Sequence, residues 1–212
     1  MATVGARRTA SGAGRNDRSG ETRAALVRGA IEALREVGFA GASAREIASR
    51  AGCNQALVFY HFGSVTDLLL AALDDVSARR LAAYTEVVER AATLTDLIDS
   101  AREIFTEDLD AGHVAVLVEM VTGAQSTPGL GADVAARLAP WRDFAESAVR
   151  KALVGSPVGL VLPAKEIAHG IVAGFLGLEL LASLDGDRAA ALDLFERARV
   201  IAGLLDLTGA QS

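Results

Sequence analysis

The sequence predicts an all-α fold of about nine helices, split into a small N-terminal unit and a larger C-terminal one. Three observations carry this expectation. Apolar residues recur at helical spacing along most of the chain, with no strand-like alternation and no internal repeat. Breaks between the periodic runs are marked by capping residues and glycines, and only four prolines occur among 212 residues. At 51% hydrophobic residues the chain can bury one sizeable helical core beside a small domain.

Residues 1–18 are rich in Gly, Ala, Ser and Arg and are expected to form a disordered basic arm. Its arginines, Arg7, Arg8, Arg15 and Arg18, either reach a minor groove or belong to a solvated tail. A first helix follows, with Leu26, Val27, Ala30, Ile31, Leu34 and Val37 on one face and Gly38 as its stop. Ser43 and Glu46 have the spacing of a capping box, which starts a second helix at Ala44. Ile47, Ala48 and Ala51 give that helix its apolar side, and Gly52 supplies the left-handed stop. Asn54 is a second N-cap and opens a helix over Gln55 to His61. Two short helices joined by Gly52, Cys53 and Asn54 form a helix-turn-helix, whose second helix enters the DNA major groove. Ser64 and Asp67 then cap a long apolar-periodic helix.

The run from Gly38 to Leu70, with GFAGAS, IASRAG and VFYHFGS ahead of a leucine-rich helix, resembles the N-terminal DNA-binding domain of the TetR (tetracycline repressor) family of transcriptional regulators. The likeness spans roughly Ser19 to Leu73; beyond it only length and helical character agree. The resemblance implies domains at 19–64 (DNA binding) and 65–212 (ligand binding and dimerisation). It implies DNA contacts from Ser43, Arg45, Asn54, Gln55, Ala56, Leu57, Phe59, Tyr60 and His61. Arg45 matches a base-contacting position, and arginine can grip guanine O6 and N7; phosphate contact or plain solvent are the alternatives. Gln55 matches a second such position, where an amide can pair with adenine. Tyr60 and His61 match phosphate-touching positions, while Phe59 offers an apolar edge to a thymine methyl or supports the turn. Leu57 and Val65 depart from the family, standing where a hydroxyl residue and a phosphate-binding lysine are common; Gln55 itself replaces a frequent lysine. Each missing charge removes a salt-dependent contact.

Six further helices are expected at 65–91, 94–110, 113–124, 131–153, 163–184 and 188–208. The breaks are Ser126 to Gly129, Gly155 to Pro157 with Pro163, and Asp185 to Asp187, and Pro140 should kink or restart the fourth helix. Tyr84, Phe105, His113, Met120, Trp141 and Phe144 are the larger or polar-tipped residues in otherwise Ala- and Leu-rich helices, so they are the candidates to line an effector pocket. The last two helices are apolar nearly all round. Either they form a central core, or they pair with a second copy through Ile167, Ile171, Gly174, Phe175, Leu178, Phe195, Ile201 and Leu205, as the resemblance implies.

Charge is polarised. Residues 1–73 carry a balance of +3 and the remainder −9, as expected if only the N-terminal end approaches phosphates. A lone cysteine, Cys53, excludes an intrachain disulfide, and with no signal-like segment after Met1 a reducing cytoplasm is expected. No stretch looks long and uncharged enough to span a bilayer; the most apolar, Gly170 to Leu184, contains Glu179. An enzyme is not expected, since Cys53 sits in the turn and His61, His113 and His169 share no metal-ligand spacing. No cofactor or metal is expected either. The reading is a homodimeric, small-molecule-responsive repressor on double-stranded DNA; a helical adaptor that has lost specific DNA binding is the alternative.

Overall fold

The computed structural model describes the backbone over residues 10–153 and 163–209, and the side chains over 18–153, 163–184 and 186–204. Among the described residues every regular element is an α-helix: α1 (Ala10–Gly41), α2 (Ala44–Arg50), α3 (Ala56–Phe62), α4 (Val65–Arg90), α5 (Leu94–Ala111), α6 (His113–Ala124), α7 (Leu130–Arg137), α8 (Ala139–Ala152), α9 (Ala164–Asp185) and α10 (Ala189–Gly209). That is ten, against about nine expected, because the run around Pro140 restarts rather than kinks. Leu138 ends α7, and Pro140 sits in the first turn of α8, where its missing N–H has no intrahelical partner to lose. The expected disordered arm is also revised: α1 already begins at Ala10. Arg7, Arg8, the side chain of Arg15 and the break at 155–157 lie outside the described residues.

Local chemistry accounts for the boundaries. Ser43 Oγ accepts the Glu46 N–H at 3.2 Å and Ser64 Oγ that of Asp67 at 3.0 Å, so both expected serine caps form. The box at Ser43 is only half made, since the Glu46 carboxylate turns to Arg50 Nε at 2.8 Å instead of reaching back. A complete capping box occurs at Thr93 and Asp96 ahead of α5. Helix α1 is broken near its end by Gly38, at φ 72.

One core runs through both expected domains. Leu26, Leu34, Ile47 and Val58 of α1 to α3 join Leu68, Leu69 and Val76 of α4, and the same cluster takes in Val116 and Met120 of α6 and Leu130 of α7. Two smaller clusters hold the C-terminal helices. Phe105 of α5 meets Phe175 edge-on at 5.8 Å and Phe195 at 5.4 Å, joining α5 to α9 and α10. Ala145, Val149 and Ala168 join α8 to α9.

Helix α9 corrects one expectation. Counted from Ala164 rather than Gly170, Ala164 to Leu184 is 21 residues with mean hydropathy 1.8, long and apolar enough to cross a bilayer by length and composition. It packs on α8 and α5 and turns Glu179 inward onto an arginine of α4.

Candidate nucleic-acid interface

The helix-turn-helix is held from beneath. Ile47 and Ala48 of α2 and Val58 of α3 are buried against Leu26, Ala30 and Leu34 of α1. Helices α1 and α2 come so close at Gly29 that a Cβ there would lie 2.8 Å from the Ile47 carbonyl oxygen. In the turn, Gly52 adopts φ +65, a left-handed conformation that a side chain would strain. Asn54 Oδ1 then accepts the Ala56 N–H at 2.8 Å, so Asn54 caps α3 as expected, with Gln55 already in helical conformation. Cys53 packs against this core, and burial pushes its thiol up, away from thiolate chemistry.

The orientation of α2 and α3 sorts the candidate contacts. Arg45, Asn54, Gln55, Ala56, Phe59 and Tyr60 are exposed, Tyr60 to 78%. Ser43 is exposed, but its oxygen is committed to the cap. His61 is half-buried, its ring 4.9 Å from that of Tyr60 and edge-on. Leu57 is half-buried and packs on the core beneath the motif, so its side chain supports α3 rather than leading the exposed face. Leu57 on α3 and Val65 at the start of α4 both pack on the main core, which accounts for apolar side chains at these two positions. Arg50 is tied to Glu36 and Glu46, at 2.8 Å each, and braces α2 against α1. Arg23 stacks over the Phe62 ring at 4.9 Å, fixing the end of α3 to α1.

A second group of functional candidates lies behind this face. Arg80 of α4 donates Nε to Asp108 Oδ1 at 2.7 Å and pairs through Nη2 with the other oxygen of Asp108. The same Nη2 lies 3.4 Å from Glu179 Oε1. The Tyr84 hydroxyl donates to Asp108 Oδ1, and His113 Nδ1 lies 3.1 Å from that oxygen. Arg80 also stands 5.0 Å from the Trp141 ring and 5.9 Å from that of Tyr84. Asp108 and Glu179 are fully buried, and Glu179 Oε2 has no hydrogen-bond partner among the described residues. Burial pushes the Glu179 carboxyl up to about 7 against the pull of Arg80, and it pushes His113 down to about 4. The network ties α4 to α5, α6 and α9. Arg80, Asp108 and Glu179 escaped the sequence reading because residues 28 and 99 positions apart give no local signal.

Two of the pocket candidates, Tyr84 and His113, line a cavity of about 460 Å³ bounded by α1, α4, α5 and the start of α6. Phe105 belongs to the α5–α9–α10 cluster and Met120 to the main core. Trp141 donates its indole N–H to Ser77 Oγ at 2.6 Å, and Phe144 packs edge-on against it at 6.3 Å. Phe105 and Met120 thus fill core, as large side chains in Ala-rich helices do, whereas Trp141 lies beside the cavity-lining Tyr84, ring centroids 6.2 Å apart, and against Arg80. Among the described residues no group of His, Cys, Asp and Glu could hold a metal.

The candidate dimer residues divide. Ile171, Gly174 and Ile201 face outward, with Ile201 59% exposed. Ile167, Phe175, Leu178 and Phe195 pack within the chain's own clusters, and the side chain of Leu205 lies outside the described residues. Leu181, Leu184, Leu194, Val200 and Leu204 are exposed as well, Leu184 to 75%. Helices apolar all round gave no means of telling the inner side from the outer.

Residues 26–72 match the family model described as bacterial regulatory proteins, tetR family. An uncharacterized HTH-type transcriptional regulator of Mycobacterium tuberculosis is 34% identical over 107 residues, covering 50% of this chain and 54% of that one. The HTH-type transcriptional regulator CymR of Pseudomonas putida is 25% identical over 118 residues, covering 54% and 56%. The chain thus spans about half the length of the curated relatives it matches. Among solved structures, the transcriptional regulator FadR from Bacillus subtilis in complex with stearoyl-CoA superposes with a TM-score of 0.71 at 13% identity, over 84% of this chain and 96% of that one. Regulatory protein TetR from Rhodobacter sphaeroides gives 0.67 at 20% identity, over 82% and 95%. These likenesses establish the shared fold.

Proposed function

We propose, from the premise that the chain belongs to the tetR family of bacterial regulatory proteins, that it is a sequence-specific DNA-binding transcriptional regulator. It acts as a homodimer on a pseudo-palindromic operator, with two recognition helices set about one or more DNA turns apart. The observation that carries the reading is the exposed set Arg45, Gln55, Phe59 and Tyr60 on a helix-turn-helix braced by Gly29, Arg50 and Arg23. Polar base-readers on a rigid, solvent-facing motif serve a DNA surface, whereas a protein adaptor has no use for them. The outward leucines of α9 and α10 support a two-fold pairing of copies. Relatives and fold neighbours are transcriptional regulators rather than enzymes.

Repression relieved by a small molecule in the cytoplasm is the mode we favour, supported by the family and by a fold neighbour, FadR from Bacillus subtilis, in complex with stearoyl-CoA. The test is fluorescence anisotropy of the purified chain with labelled DNA tiling its own upstream region, against random competitor, with an Arg45→Ala/Gln55→Ala variant. Saturable, competitor-resistant binding that the variant loses is expected. Binding no tighter than to random DNA in a genome-wide selection would favour the adaptor.

A further inference from the structure

Helices α1 and α4 face each other across the 460 Å³ cavity with matched stripes. Arg28, Ile31, Glu32 and Arg35 recur at helical spacing on the α1 wall, and Val76, Arg79, Arg80 and Ala83 do so on the α4 wall. The volume falls within the range of about 300–1,000 Å³ usual for small-molecule sites. Four guanidinium groups line it against two carboxylates, Glu32 and Glu107.

The arginines keep donors in hand. Arg80 is held by Asp108 and Glu179. Arg79 pairs with Asp75 through one nitrogen, and Arg35 gives one to the Ala111 carbonyl, so each has further N–H groups uncommitted. Arg28 makes no hydrogen bond or ion pair among the described residues. The local field is positive: after burial, Arg80 and Arg35 are what hold the His113 imidazole down at the cavity wall, with Arg79 adding to them and Glu179 opposing. Like charges brought together from two helices repel, a cost that an anion between them removes.

We propose that this cavity binds a small organic anion, a molecule with a carboxylate or phosphate head and an apolar body. Arg28, Arg35 and Arg79 grip the head through charge-assisted, bidentate bonds, and Ile31, Val76 and Ala83 floor the body. With two carboxylates on the same walls, the site suits a mono- or dianion rather than a polyanion. That such an anion is the effector rests on the regulator reading. One wall carries the helix-turn-helix and the other is the helix leaving it, so an occupant bonded to both favours one α1–α4 arrangement over another.

The chain carries a single tryptophan, and Trp141 touches Arg80 from behind the cavity, so its emission reports on the site. The full chain is titrated with decanoate, decyl phosphate and inorganic phosphate, with decyltrimethylammonium as cationic control, and its DNA affinity is measured alongside. Saturable emission changes are expected with the two amphiphilic anions and not with the cation; the stronger of the two identifies the head group. Arg28→Gln, which breaks no hydrogen bond or ion pair among the described residues, is expected to weaken binding about tenfold, the value of one charge-assisted bond, with an unchanged melting temperature. No anion response, equal response to the cation, or an unaltered Arg28→Gln affinity overturns the inference. Specific DNA binding without an anion response sinks the site and leaves the regulator reading intact, whereas an anion response without DNA binding does the reverse.

Discussion

The backbone N–H of Phe39 donates to Glu119 Oε2 at 2.8 Å, joining the end of α1 to α6 across 80 residues of sequence. Beside it, the Phe39 ring lies over Gly123, where a Cβ would come within 2.4 Å of the ring atoms. Glu119 is thus the polar half and Gly123 the steric half of one joint between the helix-turn-helix and α6. Glu119→Ala strands a part-buried N–H and is expected to cost about 1–2 kcal/mol, measured by urea denaturation. DNA affinity should fall further than Arg102→Ala, a surface change on α5, lowers it; equal DNA affinity in the two variants would detach this joint from function.

Asp108 gathers Arg80, Tyr84 and His113 onto one buried carboxylate. Asp108→Ala leaves the Arg80 cation beside a lone, poorly placed Glu179, and should cost about 3–5 kcal/mol. Chemical denaturation gives the figure, and Trp141 emission should shift as Arg80 leaves the ring. A loss below about 1 kcal/mol would mean that water already solvates this network.

Stability should depend on pH through Glu179 and His113 in opposite senses. The folded Glu179 carboxyl titrates at about 7 instead of 4.5, so folding holds a proton that the unfolded chain releases. Its contribution is full below 4.5 and is lost as pH rises to about 7. The folded His113 titrates at about 4 instead of 6.5, so stability rises with pH over that interval. The two oppose one another up to 6.5, beyond which only the Glu179 loss continues. Glu179→Gln, neutral throughout, should flatten that component: the wild-type melting temperature minus that of the variant is expected to decline between about pH 5 and 8. A difference independent of pH would place a charged Glu179 in the folded state.

Leu181 and Leu184 stand exposed on α9, as do Ile201 and Leu204 on α10. A Leu181→Asp/Leu184→Asp pair should convert a dimer of about twice the 21.9 kDa chain mass to a monomer in sedimentation equilibrium. Helicity should be unchanged, since neither side chain lies in the chain's own core. Retention of the dimer mass would move the interface elsewhere.

What the sequence made legible follows from chemistry confined to a few neighbouring residues. Ser43, Asn54 and Ser64 each cap a helix through an atom two or three positions away, so residue type and spacing suffice. Pro140 announced a break for the same reason, although only the fold decided between a kink and a new helix. Exposure on α3 was harder: Leu57 and Gln55 are two positions apart, and their division between core and solvent depends on how α3 leans on α1 and α4. Arg80, Asp108 and Glu179 read as three ordinary charges on three helices. Their joint burial is a product of tertiary packing.

The main core passes without a seam from Leu26 of α1 through Leu69 of α4 to Met120 of α6 and Leu130 of α7. A fragment ending near Ser64 would leave the apolar faces of α1 to α3 without Leu68, Leu69, Val116 and Met120, the residues of later helices that share their core. The helix-turn-helix is therefore no separable module: it should melt together with α4, α6 and α7 in one cooperative unit, and amide exchange in α2 and α3 should slow or quicken with events at α6.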